Sequence, residues 1–160
     1  MIDELLFTLT LITELGCGLV AGILYAFSTS VIKALARLPS AQGIAAMQSI
    51  NVAVFNPWFM GAFFGTAAAC VLVVVFSLLR WGEAEAIYLL VGGLFYLIGT
   101  ILVTIAFNVP RNNALAAADP QSADGARIWA AYVSSWTAWN HVRTASALAA
   151  AVTLTLALSQ

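Results

Sequence analysis

Four stretches of this chain, roughly residues 5–28, 58–79, 86–107 and 142–159, each run for close to 20 residues with almost no charge. That is the length of apolar helix needed to cross the hydrocarbon core of a bilayer. The rest of the chain agrees: 62% of its residues are hydrophobic and 8% charged, where a soluble domain has about half and about a quarter. An ordinary soluble globule and a disordered chain are both excluded. The expected fold is an all-α integral membrane four-helix bundle. It forms one domain over residues 1–160, with helical extensions and a short amphipathic helix on one side. The first stretch could be taken for a secretory signal, since Leu15-Gly16-Cys17 faintly resembles a lipoprotein cleavage box. It opens on Asp3 and Glu4 instead of a basic segment, however, and Glu14 precedes the box, so it reads as a retained helix.

The gaps between the spans are unequal, about 29, 6 and 34 residues. With four crossings the two long gaps share one face of the membrane. Lys33, Arg37, Arg111, Arg127 and Arg143 lie on that face, and Arg80 alone on the other. The positive-inside rule puts both long loops in the cytoplasm and both termini outside, in an inner or plasma membrane. With a net charge of −1 and no basic run, nucleic acid is not an expected partner. Cys17 and Cys70 fall in apolar runs without a neighbouring ligand and read as packing residues.

The long gaps carry helical signals of their own. Residues 126–160 contain neither Gly nor Pro, so one helix can run about 50 Å and protrude from the bilayer. The first helix can likewise continue toward Pro39. Ser40 follows as a candidate N-cap, and Ile44, Met47, Ile50 and Val54 recur at helical spacing, which predicts a short helix lying over the bundle. Asn56-Pro57 predicts a capped start for the second span, and Asp119-Pro120 resembles the same device ahead of the last helix. Gly18-xxx-Gly22 and Gly61-xxx-Gly65, with Gly92, Gly93 and Gly99, are expected to let helices approach closely. There is no internal repeat to support an inverted-repeat transporter.

Polar side chains at membrane depth are functional candidates by default. They gather near one interface as Gln48, Asn51 and Asn56; Asn108, Arg111, Asn112 and Asn113; and Trp136, Trp139, Asn140, His141 and Arg143. Pro110 argues that the third helix ends there, leaving Asn108 and Asn112 either to cap a frayed end or to hold a polar ligand. At about 100° per residue, Trp129, Tyr132, Trp136, Trp139, Asn140 and Arg143 share one arc of the last helix. The arc is either an interfacial aromatic belt or a ligand-facing stripe. His141 lies about 160° away from Arg143 on an ideal helix. It is the one histidine, either a structural residue or the natural proton acceptor. Glu14, in mid-span, faces either the interior or a second subunit, which leaves a homo-oligomer open.

Tyr25-Ala-Phe-Ser28, Leu38-Pro39, Ala46-Met47-Gln48-Ser-Ile50-Asn51, Asn56-Pro57-Trp58-Phe59, Asn108-Val-Pro-Arg-Asn112 and Trp136-Thr-Ala-Trp139-Asn140-His141-Val-Arg143-Thr144 together resemble the anthrone oxygenase-like integral membrane proteins. The resemblance spans nearly the whole chain, in order. It implies a small four-span helical protein, and an activity that oxidises an anthrone to an anthraquinone without a known cofactor. Such chemistry needs a base, donors for an oxyanion and flat apolar walls. In the scheme the resemblance suggests, His141 is the base and Arg143, Asn112 and Asn140 are the donors. Trp136, Trp139 and Tyr25 are the walls, with Asn108 and Asn51 completing the substrate site. The expected partner is a lipophilic small molecule within the lipid bilayer.

Two other classes compete. A non-catalytic membrane protein binding a lipophilic molecule or a partner subunit would use the same polar residues and leave its ligand unchanged. A haem-bearing electron carrier would need a second axial ligand that one histidine per chain does not supply. A metal held by Glu14 and His141 lacks a third ligand, and the two residues belong to different depths.

Overall fold

The computed structural model describes residues 2–160, and the regular elements among them are all helices. They are α1 (Asp3–Leu35), α2 (Ser40–Ala53), α3 (Pro57–Leu79), α4 (Ala86–Ala116) and α5 (Ala123–Leu158). All but α2 are long and apolar enough to cross a membrane, so the chain is an integral membrane protein. The four long helices close into a bundle in which α1 packs on α3 and α5, and α4 packs on the same two. Contacts of α4 on α5 pair Gly92 with Leu154, Gly99 with Ser146, Thr104 with Arg143 and Asn108 with Trp136. Rising numbers on one helix meet falling numbers on the other, so these helices are antiparallel.

There are two apolar cores. One lies inside the bundle, where Cys17, Val20, Leu24, Phe63, Cys70, Leu89 and Tyr96 meet the alanine-rich half of α5. The other lies under α2, where Ile32, Ile44, Met47 and Leu115 pack on Trp129, Tyr132 and Trp136. α5 serves both cores with a single stripe: Trp129, Tyr132, Trp136, Asn140, Arg143, Ala147, Ala150 and Leu154 are all buried. At 1.5 Å per residue its 36 residues extend about 54 Å, so it rises well out of the hydrocarbon layer. α2 lies over the emergent ends with Ile44 and Met47 facing in. Gln48 fixes it by donating from Nε2 to the carbonyls of Leu115 (2.8 Å) and Ala118 (3.1 Å).

Helix starts follow local chemistry, with two corrections. Asn56 Oδ1 accepts from the backbone N–H groups of Trp58 (3.1 Å) and Phe59 (3.0 Å), capping α3 as expected. Ser40 is the first helical residue and not a cap; Pro39 holds the cap position without a side-chain bond. α5 is capped by Ser122, whose Oγ accepts from Gly125 N–H at 2.8 Å. Asp119 instead accepts from Gln121 N–H in a local turn.

The third span does not stop at Pro110. α4 continues to Ala116 because two widened π-turns, Leu97–Leu102 and Thr104–Asn108, precede the proline. A proline lacks the N–H and crowds the carbonyl four residues earlier, and a shift to i→i+5 bonding relieves both conflicts. A similar π-turn, Phe27–Val31, lies within α1, which continues to Leu35. The glycine expectation holds for Gly92, Gly93 and Gly99, where an added Cβ would meet Leu154, Val74 and Ser146, and is corrected for the two spaced pairs. A Cβ at Gly18, Gly22, Gly61 or Gly65 would meet nothing within 4 Å, whereas one at Gly93 would stand 2.5 Å from Val74 Cγ2 and 3.1 Å from the Cys70 carbonyl. The close approaches are therefore of α4 on α3 at Gly93, of α4 on α5 at Gly92 and Gly99, and of α1 on α3 where Gly16 meets Thr66, and the two spaced pairs face outward.

Candidate functional site

A cavity of about 230 Å³ lies where the two cores meet. Its walls are apolar and come from every helix: Leu24 and Phe27 of α1, Met47 and Ile50 of α2, Phe59 and Phe63 of α3, Ile101 of α4 and Trp136 of α5. Phe55, Phe64, Ile105 and Val109 line it and are also exposed. They come from the connection leading into α3, the first half of α3 and the second half of α4, so the cavity opens sideways between those two helices. Its lining polar side chains are Asn51, Thr104, Asn112 and Arg143, with the indole of Trp136.

Arg143 is 7% exposed. Its Nη1 donates to Thr104 Oγ1 at 3.0 Å, and Nη2 donates to Asn140 Oδ1. Its guanidinium carbon stands 5.5 Å from the centre of the Trp136 ring, within cation–π range. Asn140, fully buried, donates from Nδ2 to the Leu24 carbonyl (2.7 Å) and to Ser28 Oγ (2.5 Å). A buried amide thus fastens α5 to α1 and presents its oxygen to the guanidinium. Tyr132 donates its hydroxyl to Asn112 Oδ1 at 2.9 Å, with Asn51 beside it. No carboxylate pairs with Arg143 among the described residues.

The structure brings Arg143, Trp136, Asn112 and Asn51 to the cavity wall. Asn140 and Asn108 stand one layer behind, Asn108 donating from Nδ2 to the Trp136 carbonyl at 3.3 Å. Three of the expected site residues stand elsewhere. His141 is exposed on the outer side of α5, and the large angle separating it from Arg143 on a regular helix is the reason. Trp139 sits at the edge of the stripe and stacks on Phe107, with ring centres 3.5 Å apart. Tyr25 is 60% exposed because α1 turns Leu24 and Ser28 inward.

Thr104 is a site residue missed by sequence reasoning. Thr100, Thr104, Asn108 and Asn112 form a polar row at every fourth position of α4. On a regular α-helix such a row drifts around the axis; the widened turns keep it on one face. The spacing was the available signal.

The sequence profile of the anthrone oxygenase family matches residues 55–153. The match covers α3, α4 and most of α5, and with them Thr104, Asn112, Trp136 and Arg143. No curated protein and no solved structure matches the chain.

Proposed function

The chain belongs to the anthrone oxygenase family, and on that footing we propose that it is a membrane-embedded oxygenase acting on a lipophilic, anthrone-like aromatic substrate without a cofactor. The observation that supports this best is Arg143, a buried cation without a carboxylate partner, set in the wall of a mostly apolar cavity. An anthrone has a methylene between two aryl rings, opposite a ring carbonyl. Loss of one methylene proton places the charge largely on the carbonyl oxygen, where a guanidinium and N–H donors stabilise it. The electron-rich anion passes one electron to O2, and the resulting radical pair joins through a new C–O bond. Protonation of the peroxide, loss of the second C–H proton and cleavage of the O–O bond release water. The balance is CH2 + O2 → C=O + H2O.

In this reading Arg143, Asn51 and Asn112 hold the oxyanion end, Asn140 and Thr104 orient Arg143, and Trp136, Phe27 and Phe63 flank the rings. Substrate arrives from the bilayer through the opening between α3 and α4. The α2 end faces the cytoplasm of an inner or plasma membrane, as exposed Lys33, Arg37 and Arg127 favour.

The test is oxygen uptake by the purified protein in detergent with a dihydroxyanthrone, against protein-free micelles that report spontaneous oxidation. Protein-dependent quinone formation with equimolar oxygen uptake is expected. A rate equal to the micelle control, with the substrate bound and recovered unchanged, would establish the non-catalytic binding role instead.

A further inference from the structure

The unpaired polar atoms of the cavity are of one kind. Two lining side chains carry a buried nitrogen donor without a partner, Trp136 Nε1 and Arg143 Nε, and the amide of a third, Asn51, is turned to the Tyr132 hydroxyl. No lining side chain leaves a buried acceptor unpaired among the described residues. The lining also contains no Asp, Glu, His, Lys, Cys or Tyr. Around the guanidinium, α1 presents Leu24 and, through Asn140, Ser28; α2 presents Asn51; α3 presents Phe59 and Phe63; α4 presents Thr104 and Asn112. On α5 itself the neighbours are Asn140, Trp136 and Tyr132, and Tyr132 is the ionisable group that feels the charge of Arg143. Its hydroxyl is already donated to Asn112.

Two consequences follow from electrostatics. A buried cation with only neutral partners is expensive, and an anion placed beside it recovers much of that cost. A neutral acid in the same cavity would leave the cation unbalanced. Donors without acceptors also favour a ligand whose oxygens accept and have no proton to give. A cavity without a basic side chain has nothing to remove the proton after binding.

We infer that the cavity takes its ligand as a preformed organic anion, the phenolate or enolate of a planar lipophilic weak acid, whose proton passes to solvent and not to a protein base. This deepens the oxygenase reading and shares its cavity, but it concerns binding and has its own readout.

The experiment is a spectrophotometric titration of 2-hydroxyanthraquinone, a planar phenol whose ionisation is visible. It compares protein-free micelles, the intact protein, His141→Ala, Arg143→Gln and Arg143→Lys. In the intact protein the ionisation midpoint should fall by about one pH unit or more relative to micelles, a tenfold preference for the anion. The shift should persist in His141→Ala, survive in part in Arg143→Lys and vanish in Arg143→Gln. Because Arg143 also braces Asn140 and Thr104, the Gln variant counts only with unchanged circular dichroism and thermal midpoint. The intact-protein titration decides the matter without it. A midpoint that stays or rises, or a probe that does not bind at any pH, overturns the inference. Binding as the anion without turnover of an anthrone would overturn the oxygenase reading alone, and turnover with the probe bound neutral would overturn this inference alone.

Discussion

Arg143 and His141 are two residues apart, and the structure gives them opposite surroundings. Arg143 points into the cavity with Asn140 and Thr104 as neutral braces, while His141 is on the outer side of α5. Arg143→Gln should lower anthrone oxidation by about 100-fold or more, the usual loss when one oxyanion donor is removed. His141→Ala should stay within about twofold of the parent, since a general base must reach the proton it takes. Oxygen uptake on both variants in the same detergent checks the pair, and a collapse in His141→Ala would return the histidine to the site. Trp136→Phe keeps the flat wall but removes the unpaired indole N–H. It should cost about tenfold in kcat, less than the loss of the charged donor. At this scale the sequence was informative wherever a polar residue stood out in apolar surroundings, as Asn51, Asn112 and Arg143 do. Thr104 did not stand out, because a helical threonine ordinarily bonds the carbonyl four residues back, as Thr104 does to Thr100 at 2.6 Å. Its second role, accepting from Arg143, depends on a neighbouring helix.

Elements were legible where one turn of chain decided them. Asn56-Pro57 specifies the start of α3 through a side chain and a backbone that are neighbours in sequence. Pro110 misled because its usual consequence was cancelled at a distance, by π-turns that sequence periodicity shows only as a row of every-fourth polar residues. The glycine pairs misled for a related reason. Spacing of small residues says that a helix can be approached closely, and the partner helix decides where it is. Gly93→Ala should lower stability by about 1–3 kcal/mol, since its Cβ would stand 2.5 Å from Val74 Cγ2. Gly18→Ala, which meets nothing within 4 Å, should change stability by no more than about 0.5 kcal/mol. Thermal unfolding in one detergent ranks the two, and equal effects would mean that α1 uses the Gly18 face against another surface.

The whole molecule sets the cavity where a membrane-buried core gives way to the core beneath α2, and this is the feature hardest to see in a single chain. Its walls come from all five helices, so it exists only once each register is fixed. The same arrangement sets the direction of access. α2 covers the cavity, Gln48 locks that cover to the end of α4, and the exposed lining residues cluster between α3 and α4. A substrate that partitions into lipid would meet the opening without crossing water. Ile105 lies on that path, lining the cavity while 59% exposed, and makes no hydrogen bond to Arg143. Ile105→Trp should therefore narrow the approach while leaving the chemistry in place. The expected signature is a KM raised about tenfold with kcat nearly unchanged, the pattern of a change felt in binding but not in the transition state. Steady-state oxygen uptake in lipid nanodiscs, with substrate supplied in the bilayer, measures both constants. A fall in kcat at constant KM would place Ile105 against the reacting rings and move the opening elsewhere.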